Sequence, residues 1–226
     1  MSTTKKIKLT DYPDQKISVS IHQPKKKYKQ ALIIAPGAGG NKDSKFLTSL
    51  CDSVANAGLL AIRFNYIYME NGKKAPDKLD KCASVYKDVI NFLIKDLKVK
   101  QNSIILGGKS MGSRVAAELS KGTENSKVIA FGYPLHPPGK PEKSRADQIK
   151  HLNERILIIQ GENDAFGKKD EILNDTPKKS KKVFIPFGNH SLEVPKKSGL
   201  TAEEVQKLVI DGILDFIKQL IYYPPN

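Results

Sequence analysis

Ser110 lies in Gly108-Lys109-Ser110-Met111-Gly112, a G-x-S-x-G pentapeptide that follows the apolar run Ile104 to Leu106 and leads into a helix-like segment. Glycine on both sides suits a serine held in a sharp strand-to-helix turn. A side chain at either place would collide with neighbouring backbone, and the strained turn lifts the hydroxyl out of the sheet as a nucleophile. A second reading of Gly108-Lys109-Ser110, as the end of a phosphate-binding loop, needs a glycine where Ser103 stands. It also needs a flexible loop where Ile104-Ile105-Leu106 reads as strand, so it fails.

A serine hydroxyl is a poor nucleophile at neutral pH. It needs a histidine to take its proton and a carboxyl group to fix that histidine's tautomer. His190, in "PFGNHSLEV", is the expected base, since it follows a strand-like run and precedes the last helix. His136 lies in a proline-rich link, His151 on a charged helix-like segment and His22 at the end of an early strand. Asp164, in "ILIIQGENDAFG", is the expected acid, after an apolar strand and a glycine turn. Glu162 is the reserve, and Asp170 and Asp175 read as surface carboxylates. For the oxyanion, the expected donors are the backbone N–H of Met111, which heads a helix, and that of Ala38 in "APGAGGNKDS". Gly37 and Gly39 in that loop, and His136, are candidates for substrate contact. The loop departs from the dinucleotide fingerprint G-x-G-x-x-G at Lys42, and no metal-ligand spacing accompanies it. Neither an organic cofactor nor a metal is therefore expected.

Placing these groups requires an alternating chain. Strand-like stretches at Lys6 to Leu9 and Ile17 to His22 are followed by a buried-type strand at Ala31 to Ala35. Helices are expected at Lys45 to Ala57, Leu79 to Leu97 and Met111 to Lys121, with strands between them at Leu59 to Phe64, Ser103 to Leu106 and Lys127 to Phe131. Further strands are expected at Arg155 to Gln160 and Lys182 to Ile185, and a helix at Thr201 to Ile221, opened by a Thr201–Glu204 capping box. Strands alternating with helices imply an α/β fold, a mostly parallel sheet covered on both faces, with ligands beyond the carboxyl ends of the strands. The order Ser110, Asp164, His190 is the one found in the α/β-hydrolase fold. The link Gly132 to Arg145, with Pro134, Pro137, Pro138 and Pro141, is too rich in proline for a core element and reads as a short lid-like flap.

The 226 residues suit one domain, taken as 1–226. No apolar run matches a membrane span or a signal peptide, so the expectation is a cytoplasmic protein without membrane contact. Cys51 and Cys82 fit no metal pattern and read as buried free thiols. The net charge of +14 comes from scattered lysines without interleaved aromatics, which argues against nucleic acid as a partner and for a solvated lysine-rich surface. Nothing in the sequence sets the oligomeric state.

The blocks "APGAGGNKDS", "FNYIYMENGKKAPD", "GGKSMGSRVA", "YPLHPPGKPEKSR", "QGENDAFG" and "GNHSLEV" together resemble one family. It is the α/β-hydrolase-like domain of the testis-expressed hydrolase-like proteins and of a regulatory subunit of the nonspecific-lethal chromatin complex. The chain is similar, more distantly, to dienelactone hydrolases. The resemblance runs over residues 35–194 and implies triad positions for Ser110, Asp164 and His190. This chain has Ile67 and Ala165 where family members often have proline, and Asn189 where aspartate often precedes the histidine. Dienelactone hydrolases use cysteine as nucleophile, so Ser110 argues for ester rather than dienelactone chemistry, and the expected partner is a small-molecule acyl substrate, a carboxylic ester first, with thioesters and amides as alternatives. The rival implication, from relatives that are complex subunits, is a non-catalytic scaffold or binding module that keeps the fold.

Overall fold

A computed structural model describes residues 2–122 and 126–222, with side chains through residue 219. The chain divides into two compact units, separated in sequence between Ser126 and Lys127.

The first unit contains β1 (Ser2–Lys8), β2 (Lys16–His22), β3 (Ala31–Ala35), α1 (Lys45–Asn56), β4 (Leu60–Phe64), α2 (Ile67–Glu70), α3 (Leu79–Lys95), β5 (Ile104–Lys109) and α4 (Met111–Ser120). Its strands lie in the order β1-β2-β4-β3-β5. The β1–β2 and β2–β4 pairs are antiparallel, while β3 pairs in parallel with both β4 and β5. Ala31 to Ala35 have no exposed surface, as expected of a parallel strand covered on both faces. Along α3 the buried residues Cys82, Val85, Tyr86, Val89 and Leu93 recur at three- and four-residue steps, which makes one apolar stripe. From that stripe the Tyr86 hydroxyl enters the sheet, accepting from the Gly107 N–H at 3.0 Å and lying 2.9 Å from the Gly107 carbonyl. A helix thus fixes β5 three residues before Ser110.

The second unit contains β6 (Lys127–Phe131), β7 (Ile156–Gly161), α5 (Lys169–Asp175), β8 (Lys181–Ile185) and α6 (Ala202–Tyr222). Its strands run in parallel in the order β6-β7-β8. The capping box at α6 forms as the residues predict: the Glu204 N–H donates to Thr201 Oγ1 at 3.1 Å and the Thr201 N–H to Glu204 Oε2 at 2.8 Å. The link from Gly132 to Arg145 behaves in two ways. Tyr133 and Leu135 are fully buried, so its first half belongs to the core, and only residues 138–144 stand out in solvent apart from partly covered positions.

Both cysteines are free and buried, and burial pushes each thiol up to about 12, which leaves them inert at neutral pH. Among the described residues no helix is long and apolar enough to cross a membrane.

Candidate active site

Ser110 occupies the corner between β5 and α4 with φ 51° and ψ −114°, a left-handed conformation that costs a non-glycine residue roughly 1–3 kcal/mol. Both flanking glycines are required by space. A Cβ on Gly108 would lie 2.1 Å from the carbonyl carbon of Gly112, and a Cβ on Gly112 would lie 2.5 Å from the carbonyl oxygen of Ala35. The strand-turn-helix geometry that the pentapeptide predicts is therefore present, with Met111 as the first residue of α4. The first N–H groups of a helix have no partner within it, which is the condition an oxyanion donor needs.

The loop after β3 runs past this corner. A Cβ on Gly37 would sit 3.4 Å from the Lys109 carbonyl oxygen and 3.5 Å from Ser110 Cβ, so Gly37 borders the serine in ordinary contact. A Cβ on Gly39 would meet nothing within 4 Å. Three side chains that the sequence does not single out hold this loop from β4 and the residues after it. The Tyr68 hydroxyl donates to the Ala38 carbonyl at 3.1 Å, Asn65 Oδ1 accepts from the Lys42 N–H at 2.8 Å, and Arg63 donates to the Lys42 carbonyl and, at 2.6 Å, to Asp43. Asn65 is held in turn by Glu70, which also accepts from the Ser18 N–H and from Lys6. Burial opposes ionisation of Glu70, but the donors from Lys6, Ser18 and Asn65 outweigh it and hold its carboxyl below the usual range.

In the second unit Asp164 and His190 come together, His190 Nδ1 donating to Asp164 Oδ2 at 2.8 Å. Asp164 is fully buried and the His190 side chain is 24% exposed, so one group is sequestered and the other can reach a reactant. A glycine makes the approach possible. A Cβ on Gly161, at the end of β7, would fall 2.4 Å from the carbonyl oxygens of both Gly188 and Asn189, so the loop carrying His190 lies flush on the strand end. Asn189 takes a local role: its Oδ1 accepts from the N–H groups of Ser191 and Glu193 at 2.8 and 3.0 Å, closing the turn around His190. The Phe166 ring stacks on the imidazole with centroids 4.2 Å apart, and its N–H donates to Asp164 Oδ1 at 2.8 Å.

The reserve acid, Glu162, is engaged elsewhere. It pairs with Lys169 at 2.8 Å, and that contact holds its carboxyl below the usual range. His136 is 5% exposed, and both ring nitrogens face acceptors, the Pro137 carbonyl at 2.9 Å and Glu171 Oε1 at 3.0 Å. Its N–H donates to the Phe166 carbonyl at 3.1 Å, which ties the link to the turn that carries Asp164. The residue that the sequence most underplays is Gln160, an amide in the apolar strand "ILIIQG". It has no exposed surface and donates to Asp164 Oδ2 at 2.8 Å. A lone polar residue in an otherwise apolar buried strand must find partners inside, and that was the available signal.

Residues 28–218 match a family model described as the alpha/beta hydrolase domain. Among solved structures, an alpha-beta serine hydrolase homologue from Coxiella burnetii superposes with a TM-score of 0.70 at 20% identity, over 92% of this chain and 96% of that one. A serine hydrolase without lid from Xanthomonas campestris gives a TM-score of 0.71 at 14% identity, over 100% and 96% of the two chains. A dienelactone hydrolase from Anabaena variabilis gives 0.70 at 16% identity, over 95% and 98%. At these identities the likeness establishes the fold alone.

Proposed function

Because the chain belongs to the alpha/beta hydrolase domain family, we propose that it is a serine hydrolase acting on acyl substrates, carboxylic esters first, with Ser110, His190 and Asp164 as its triad. The observation that carries this reading is the buried Asp164 carboxyl group accepting from His190 Nδ1, which leaves Nε2 of a partly exposed imidazole as the basic nitrogen. The strained Ser110 between two obligatory glycines supplies the matching nucleophile.

In the proposed reaction the Ser110 hydroxyl gives its proton to His190 Nε2 as Oγ bonds to the acyl carbon. The N–H groups of Met111 and Ala38 hold the oxyanion, each such donor contributing about 3 kcal/mol to the barrier lowering. Collapse of the tetrahedral intermediate breaks the ester C–O bond, and His190 returns the proton to the leaving alkoxide. Water then repeats the sequence on the acyl-serine and releases the acid. Asp164 holds the imidazole in the productive tautomer throughout. The same proposal assigns the chain, on the blocks from "APGAGGNKDS" to "GNHSLEV", to the subgroup it resembles, the domain shared by the testis-expressed hydrolase-like proteins and the nonspecific-lethal complex regulatory subunit.

The test is labelling of the folded protein with a fluorophosphonate, read by intact mass. One adduct that disappears in Ser110→Ala is the expected result. No adduct on wild-type protein shown to be folded would replace this reading with that of a non-catalytic scaffold.

A further inference from the structure

Gln160 is the next-to-last residue of β7 and has no exposed surface, yet its side chain makes four polar contacts. Oε1 accepts from the Tyr133 N–H at 2.8 Å. Nε2 lies 2.8 Å from Asp164 Oδ2, 2.9 Å from the Gly167 carbonyl and 3.2 Å from the Tyr133 carbonyl. The amide has only this orientation. Turned over, its oxygen would face a carboxylate and two carbonyls, while its NH2 would meet the Tyr133 N–H. Two amide hydrogens serve three acceptors, so the shorter contacts, to Asp164 and Gly167, take them.

The bond to Asp164 lands on Oδ2, the oxygen that also accepts from His190, while Oδ1 accepts from the Phe166 N–H. Two of the three donors on this carboxyl group, Gln160 and Phe166, therefore determine its rotation, and the rotation determines where His190 Nδ1 must point. Gln160 Oε1 also accepts from the Tyr133 N–H, which holds the root of the proline-rich link. Tyr133 in turn donates from its hydroxyl to the Arg145 carbonyl at 2.9 Å, at the other end of that link.

We propose that Gln160 is a positioning residue, which fixes the Asp164 carboxyl group for His190 and locks the root of the 132–145 link to the same point. A buried carboxylate that loses one of its donors is left partly unsatisfied and free to turn, so the imidazole loses its fixed tautomer and direction. The kinetic side of this inference rests on the hydrolase reading; the spectroscopic side does not.

The experiment uses the full chain and proton NMR of the downfield His190 Nδ1–H resonance, assigned by its absence in His190→Gln. In Gln160→Met, which keeps the length and removes the donor, the resonance is expected to shift or broaden. With p-nitrophenyl acetate as substrate, kcat is expected to fall roughly 10- to 100-fold with KM changed less than about threefold. A second measurement needs no Gln160 variant: the Gln160 side-chain amide protons of the wild-type protein should exchange slowly and shift in Asp164→Asn. An unmoved His190 resonance in folded Gln160→Met would overturn the proposal, and so would Gln160 amide protons that exchange as fast as those of exposed glutamines. If the wild-type protein neither hydrolyses the ester nor takes a fluorophosphonate adduct, the hydrolase reading fails while the two NMR measurements still decide the role of Gln160.

Discussion

Asp164 and Glu162 stand two residues apart, yet the first meets an imidazole and the second a lysine. Asp164→Asn should therefore lower ester turnover by roughly 10⁴, because the amide favours the wrong histidine tautomer. Glu162→Gln removes only a partly exposed ion pair and should change turnover less than about threefold. Steady-state assays on the two variants give the ranking, and the reverse order would mean a misassigned acid. The glycines divide in the same way. Gly108→Ala forces a Cβ to 2.1 Å from backbone and should cost more than about 3 kcal/mol in urea unfolding. Gly39→Ala meets nothing and should stay within about 1 kcal/mol of wild type. What the sequence reveals at this scale is residue type at a turn: Ser110, Asp164 and His190 each follow a strand and stand beside glycine or within a few residues of it. What it hides is the support. Tyr68, Asn65 and Arg63 act on the loop after β3 from twenty or more positions away, and no local pattern marks them.

The helices and the apolar strands lie where the sequence pattern puts them, within a residue or two at most ends, because a buried stripe recurs at the helical period and the short apolar runs are rich in isoleucine and bounded by polar or glycine-containing turns. The errors have their own reasons. β1 begins at Ser2, well before the expected Lys6, since all but one of its residues are exposed and their pairing with β2 leaves no hydrophobic signature. β5 continues through Gly107, Gly108 and Lys109, because glycine that reads as a turn is here the strand's closest approach to α4. α5 is too short to show a period, and Tyr133 to His136 enter the core despite Pro134. One prediction belongs to the end of β2. His22 is buried, its Nε2 accepts from Arg63 Nε at 3.0 Å and its Nδ1 donates to Asp52 at 2.8 Å. Burial, opposed by the Asp52 hydrogen bond and helped by Arg63, holds its pKa below 6.5. The unfolded chain binds a proton there first, so stability is fully present above pH 6.5 and declines as pH falls from there through the lower folded value. Urea unfolding at about pH 7.5 and about pH 5 should show a smaller acid loss in His22→Asn than in wild type, with Glu70 and Asp43 contributing at lower pH in both.

At the scale of the whole molecule the charge of +14 is the most visible property and the least tied to the site. Lysines that form ion pairs do so mostly with nearby carboxylates, as in Lys81–Asp77, Lys121–Glu118 and Lys207–Asp211, and the sequence has no basic run with interleaved aromatics. Duplex DNA should accordingly bind by counterion release alone, with no sequence preference, and titrations between about 50 and about 200 mM salt should abolish it. Retention at the higher salt would reveal a dedicated nucleic-acid surface. The flush contact of Gly161 with the loop at Gly188 and Asn189 has a different reach. Were every position of the chain replaced in turn and survivors sorted by output of the proposed hydrolysis alone, Gly161 would score with the groups proposed to react although it carries no functional atom. A natural allele with serine there would look like a lesion in chemistry and be, in origin, a collision between two carbonyl oxygens and one carbon.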